Sequence, residues 1–277
     1  MACSRPSLSA VLGAAWLCVG CQFQEGPTQN VATEQTTTEK SRVEATEMFE
    51  DTLSLSSTPQ FDVPPMRELM GMVKPSEDDA FAELPARVSS RSGLYLRDEA
   101  CQAFIRMYDA AAIDGLTLTA LSATRPFHHQ ASIWNRKWNR PQAMGMSPIE
   151  RARDILQYSS MPGTSRHHWG TDVDIFSLEP SDFERGEGAR ILAWLREHAE
   201  QFGFVEVYTK EEGRPGYQPE AWHWSYLPLS GPFLRAINEA YRKENLPEFE
   251  GFEGASVSDS LRIVEDYING INPVLVN

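Results

Sequence analysis

The chain has 277 residues, 41% of them hydrophobic, and carries 25 basic against 39 acidic side chains for a formal net charge of -14. That length holds one large domain or two small ones, and the apolar fraction suffices for an ordinary core. The charge excludes sequence-independent binding to nucleic acid, which draws most of its affinity from Lys and Arg neutralising phosphates.

Residues 1–20 read as a secretory signal. Arg5 is followed by an apolar run through Val11, Leu12, Ala14, Ala15, Trp16, Leu17 and Val19, too short for a membrane span. The run ends in Leu17-Cys18-Val19-Gly20-Cys21, which is similar to a bacterial lipoprotein cleavage box, with small Gly20 before Cys21 and Cys18 where such boxes usually carry Leu. Cys21 is therefore the expected lipidation site. The expected location is the cell envelope, with the protein exported, lipid-anchored and facing the periplasm.

After removal of the signal only Cys21 and Cys101 remain, so no disulfide framework is expected. Cys101 shares helical spacing with Phe104, Ile105, Tyr108 and Ala112, which points to a buried, inert thiol. Residues 21–60 are rich in Thr, Gln, Glu and Ser, a composition that cannot bury enough apolar surface to offset chain entropy; a flexible acidic tether is expected there.

Order is expected from residue 61, with 61–84 as an N-terminal extension holding a short helix at Met66–Met70, and 85–277 as one catalytic domain. Residues 97–114 pattern as an amphipathic helix stopped by Gly115, and 116–121 alternate as a half-buried strand. Helices are expected at 127–138 and at 148–158, the second opening on Pro148. A strand follows at 173–176, then a helix at 190–202 closed by Gly203, and strands at 204–208 and 222–227. Helices at 232–243 and 258–268 complete an α+β fold.

Two motifs carry chemistry: Ser165-Arg-His167-His-Trp-Gly170-Thr-Asp-Val-Asp174 and Glu220-Ala-Trp-His223. Two histidines, a carboxylate and a spare glutamate are the inventory of a mononuclear zinc hydrolase, which needs three protein ligands, an open position and a base for the attacking water. Of the neighbours His167 and His168, at most one should face a metal, because adjacent residues in extended chain point apart. Asp172 and Asp174 would share a strand face, and parity leaves the ligand undecided between them; Asp172 also suits a partner of a ligand or of Arg125. Glu220, just after Pro219, is expected on a loop leading into the His223 strand. Trp222 and Trp224 read as packing residues, and His128, His129 and His198 as surface or capping residues.

These motifs, with Ser122-Ala-Thr-Arg125 before them and Trp224-Ser-Tyr226 after, resemble the VanY-type zinc D-alanyl-D-alanine carboxypeptidases, which trim peptidoglycan peptides. The resemblance covers roughly residues 85–277. It implies a central antiparallel sheet flanked by helices, an open cleft with one Zn2+, and His167, Asp174 and His223 as its ligands. It further implies Glu220 as the catalytic base and Arg125 as a catalytic and substrate-binding residue that steadies the oxyanion. Ser165 reads as a residue supporting a ligand histidine or the substrate. The place two before the aspartate ligand is often small in that family, whereas here it is Asp172. The expected substrates are peptidoglycan stem peptides, cut before a terminal D-Ala with D,D- or L,D-specificity. Cross-link cleavage by an endopeptidase and metal-containing, non-catalytic wall binding are the alternatives; retention of Glu220 argues against the last, since a structural zinc needs no spare base.

Overall fold

A computed structural model describes residues 62–275. The expected signal, Cys21 and the whole of the expected tether lie outside the described residues. In chain order the elements are α1 (Met66–Leu69), β1 (Phe81–Glu83), β2 (Tyr95–Arg97), α2 (Asp98–Ile113), β3 (Ala120–Ser122), α3 (Phe127–Trp138), α4 (Pro148–Ile155), β4 (Asp172–Ile175), α5 (Gly186–His198), β5 (Phe204–Tyr208), β6 (Glu220–Tyr226) and α6 (Leu227–Arg242).

Alternation along β4 organises the molecule. Val173 and Ile175 enter the apolar core, while Asp172 and Asp174 share the other face. β4 pairs antiparallel with β3 on one side and β6 on the other, and β5 closes the sheet in the order β3-β4-β6-β5. The fold is α+β with a central antiparallel sheet, as expected. The 61–84 stretch belongs to the same core: Leu69 and Leu84 are fully buried in it, and β1 pairs with β2 in a small second sheet that sequence periodicity did not reveal.

Several boundaries differ from expectation for local reasons. Leu116, Leu118 and Ala120 do alternate inward, but β4 is only four residues long, so ladder pairing begins at Ala120↔Ile175 and the expected 116–121 strand shrinks to β3. The buried face of α2 is Ala100, Cys101, Ala103, Phe104, Met107 and Ala111, with Ala112 exposed, so the apolar stripe is rotated by one residue at its end. α4 begins at Pro148 behind a capping box in which Ser147 and Glu150 bond reciprocally, and ends at Ile155. α5 starts four residues earlier than expected, and a 3-10 turn at Ala199–Phe202 carries it to Gly203, whose φ of +83° suits glycine.

α6 begins directly at the end of β6, with Pro232 inside it rather than at its start. An interior proline costs about 3 kcal/mol, which burial of Leu229, Phe233, Leu234 and Ile237 must outweigh. The expected helix over 258–268 is instead broken: Arg262 adopts φ +50° between a short 3-10 turn and a π-helical segment at Ile263–Ile268. Val257, Leu261, Ile263, Val264 and Ile268 still reach the core, so packing sets this path against helix periodicity.

Candidate metal centre

His167 sits in the 3-10 turn Arg166–Trp169, which closes at Gly170 with φ +75°. A Cβ on Gly170 would lie 2.5 Å from the Phe81 ring, so the tight reversal that follows His167 requires glycine. His167 Nδ1 donates to the Ala123 carbonyl at 2.9 Å, and Nε2 faces Asp174 Oδ2 at 3.3 Å. His168 points the other way: Nδ1 donates to the Arg125 carbonyl at 2.5 Å and Nε2 accepts from Gly163 N at 3.1 Å. The adjacent rings divide, one toward the carboxylates and one away, but in a 3-10 turn rather than the extended chain from which that division was expected.

The β4–β6 register sets Asp174 opposite His223 and Asp172 opposite Ser225. His223 Nδ1 lies 3.4 Å from Asp174 Oδ1 and 3.3 Å from Glu220 Oε2. Glu220 is the first residue of β6, paired with Tyr208, rather than a loop residue. Three residues from His223, it would face away in a regular strand. The β5–β6 register shifts between Glu206 and Tyr208, and this irregularity returns the Glu220 carboxylate to the side of His223.

Arg125 follows β3, and its guanidinium is held on two sides. Nη1 donates to Gln130 Oε1 at 2.8 Å and Nη2 to Ser122 Oγ at 3.0 Å, with Asp174 Oδ2 at 3.8 Å from Nη2. Its backbone N–H donates to the His167 carbonyl at 2.9 Å. Arg125, His167, Asp174, Glu220 and His223 thus line one cleft of about 280 Å³, walled by Tyr208 and Trp222. A larger groove of about 610 Å³ lies along the C-terminal segment near Tyr241 and Arg262, away from these groups.

Burial and neighbouring charges compete across the site, and at His223 the surrounding carboxylates outweigh burial and raise the imidazole to about 9. Burial pushes Glu220 above the usual carboxylate range, against the pull of His223, and it pushes His167 below the usual imidazole range despite Asp174. Asp174 nevertheless stays below the usual carboxylate range, because His167, His223 and Arg125 outweigh its burial.

The residues fit a divalent metal by an observation independent of any motif. Asp174 Oδ1 is buried and has no hydrogen-bond donor among the described residues, an arrangement that is costly for a carboxylate unless a cation meets it. One ligand atom each from His167, Asp174 and His223 lies within 4.8 Å of the others. His167 Nε2 lies 3.3 Å from Asp174 Oδ2 and His223 Nδ1 lies 3.4 Å from Asp174 Oδ1, so the carboxylate sits between the two imidazoles with one oxygen turned to each.

Other expected residues fall elsewhere. Ser165 is buried with its hydroxyl unbonded, and it is not among the cleft-lining residues. Asp172 pairs with Arg166 and His223 rather than with Arg125. His128 and His129 are exposed on α3, and His198 is half-buried against Trp194. Sequence reading passed over Arg166, Ser225 and Gln130, which bond to Asp172 or Arg125, and Lys137, which lines the cleft. Arg166 carried a usable signal, a cation inside a motif that also supplies two aspartates.

Residues 93–229 match the family model described as VanY: D-alanyl-D-alanine carboxypeptidase. An uncharacterized protein of Haemophilus influenzae is 32% identical over 121 residues, covering 38% of this chain and 89% of that one. The chain belongs to the VanY family. A D-alanyl-D-alanine carboxypeptidase of Enterococcus faecalis is 28% identical over 142 residues, 51% of this chain and 48% of its own. The chain spans about half the length of the curated carboxypeptidase relatives it matches. Among solved structures, VanYB in complex with D-alanine-D-alanine aligns with a TM-score of 0.44 at 22% identity, covering 68% of this chain and 87% of that chain. The α6 helix beyond its first turn and the whole C-terminal segment lie outside the VanY match.

Proposed function

We propose that this protein is a zinc-dependent carboxypeptidase that removes the terminal D-alanine from peptidoglycan stem peptides. One observation carries the reading: His167 Nε2, Asp174 and His223 Nδ1 converge in a cleft that also holds a buried glutamate and a braced arginine. VanY membership supports the substrate class.

His167, Asp174 and His223 would hold the ion. When bound, zinc supplies a Lewis acid for water and for the scissile carbonyl. Glu220 takes a proton from the attacking water as its oxygen adds to the carbonyl carbon, and returns that proton to the amine nitrogen as the C–N bond breaks. A carboxyl raised by burial suits both halves of that transfer. Arg125 donates hydrogen bonds to the oxygen on which negative charge develops. Its fork is already fixed by Gln130 and Ser122, so little reorganisation is needed.

The test is to incubate zinc-loaded protein with defined penta- and tetrapeptide muropeptides and to weigh the products. Loss of one alanine from the pentapeptide identifies D,D-cleavage, and loss from the tetrapeptide L,D-cleavage. Intact peptides with zinc loaded overturn the proposal. Export and anchoring through lipid on Cys21 belong to the same reading, supported by the sequence of residues 1–21. A mature N-terminal peptide lacking a lipid mass on Cys21 would remove the anchor from it.

A further inference from the structure

Asp172 stands where the family resemblance leads one to expect a small residue, and it is among the most completely enclosed charges in the molecule, with no exposed surface. Its two oxygens have four hydrogen-bonding partners. Oδ1 accepts from Arg166 Nε at 2.9 Å and lies 3.0 Å from His223 Nε2; Oδ2 accepts from Thr171 Oγ1 at 2.5 Å and from Ser225 Oγ at 3.0 Å. Arg166 is itself buried, stacked over Trp169 at 4.4 Å, and its Nη2 donates to the same Ser225 hydroxyl at 2.7 Å.

Beside a guanidinium and met by three donors other than His223, namely Arg166 Nε, Thr171 Oγ1 and Ser225 Oγ, the Asp172 carboxylate is an acceptor only. The His223 nitrogen facing it must therefore carry the proton. The register that sets Asp172 beside Ser225 and Asp174 beside His223 leaves the ring spanning the two carboxylates, with Nε2 on Asp172 and Nδ1 toward Asp174 and Glu220.

We propose that Asp172 is a positioning residue that fixes His223 as the Nε2–H tautomer, aiming the Nδ1 lone pair at the metal position between His167 and Asp174. This inference rests on the metal reading above. Within the site it separates two aspartates of the same strand face: Asp174 is presented to the ion, and Asp172 is withdrawn from it by its four donors. Arg166, Thr171 and Ser225 then serve to keep Asp172 ionised and immobile. A histidine ligand whose other nitrogen is held by a carboxylate is oriented and made more basic, and loss of such a partner typically costs 10- to 100-fold in metal affinity.

Two measurements on the full chain test this. In the native protein labelled with 15N-histidine, two-bond 1H–15N correlations of zinc-loaded His223 should show the proton on Nε2 and the metal shift on Nδ1, with assignment by loss of the signals in His223→Ala. This needs no change at Asp172. In Asp172→Asn, zinc affinity by chelator competition should fall 10- to 100-fold, and the rise in Tm on adding zinc should shrink relative to the native protein. A purely structural role would lower the Tm of metal-free and zinc-loaded forms equally and leave affinity unchanged. A zinc-loaded His223 with its proton on Nδ1, or an Asp172→Asn protein that folds and holds zinc as tightly as the native one, overturns the inference alone. A native chain that takes up no zinc overturns the metal reading and this inference with it.

Discussion

His168 braces Arg125 through its main chain: Nδ1 donates to the Arg125 carbonyl while Nε2 accepts from Gly163. One ring nitrogen must donate and the other accept, so the imidazole is neutral, and burial pushes it down to about 3. His167 holds the same loop one step away, by bonding the Ala123 carbonyl and receiving the Arg125 N–H. The two histidines thus grip the arginine loop from both sides while only His167 reaches the metal cluster.

Gly71 is the packing limit on that brace. Its φ is +92°, and a Cβ there would sit 2.5 Å from His168 Nδ1. Gly71→Ala should combine backbone strain with displacement of the imidazole, lowering Tm by roughly 5 °C or more. Gly93 provides the control, since its φ is +74° and nothing lies within 4 Å of a Cβ there. Gly93→Ala should show the strain alone and leave turnover intact, whereas Gly71→Ala should also reduce turnover. Equal melting and activity losses in the two variants would show that His168 does not position the loop.

The elements that hold the site were legible where local chemistry governs them. α3 and β5 carry their expected bounds because each is marked at both ends, by Pro126 and Asn139 in one case and by Gly203 and the polar loop after Tyr208 in the other. The inventory of two histidines, a carboxylate and a spare glutamate was legible in the motifs, but Asp174 could be preferred to Asp172 as a candidate ligand only through the family resemblance, because parity left the two equivalent. What distinguishes them lies across the sheet: Ser225 and Arg166 claim one carboxylate and leave an oxygen of the other bare. The position of Glu220 was misread as a loop because a register shift between strands leaves no trace in one strand's sequence. The C-terminal break at Arg262 was invisible for the same kind of reason, since contacts to the core rather than periodicity set its path.

Cys101 offers a check on the core that is independent of the active site. The thiol is 1% exposed, and burial pushes it up to about 11. Iodoacetamide at pH 8 with peptide mapping should leave Cys101 unmodified in native protein and modify it after denaturation. The pH dependence has a definite sign. An unfolded chain sheds the proton near pH 9, the folded chain keeps it to about 11, so this group's contribution to stability is complete below 9 and is lost as pH rises through that window. Rapid alkylation of native protein at pH 8 would contradict the packing of α2.

Glu220→Gln keeps the shape of the side chain and removes its ability to accept a proton. The expected outcome is zinc content equal to the native protein and turnover reduced by roughly 10²- to 10⁴-fold. His223→Ala should instead lose zinc on dialysis, and turnover with it. Chelator treatment of native protein should abolish turnover, and added zinc should restore it. Undiminished turnover in Glu220→Gln would take that residue out of the proton transfer.

Arg125 can serve the substrate in two ways, and kinetics separate them. If its guanidinium binds the terminal carboxylate in the ground state, Arg125→Ala should raise KM with kcat little changed. If it meets charge that develops only at the reacting carbonyl, kcat and kcat/KM should fall together. The geometry favours the second. Gln130 and Ser122 fix the fork, and Asp174 Oδ2 lies 3.8 Å from Nη2, so the cation is set against the metal cluster rather than at the cleft rim. A loss of about 3 kcal/mol, or a hundredfold or more in kcat, is expected for Arg125→Ala. Arg125→Lys keeps the charge but cannot bridge Gln130 and Ser122 with one planar fork, so it should recover only part of the rate. Zinc content should be unchanged in both variants, because the ligands are held by β4, β6 and the turn at His167. A variant with native kcat and raised KM would move Arg125 from the oxyanion to the carboxylate.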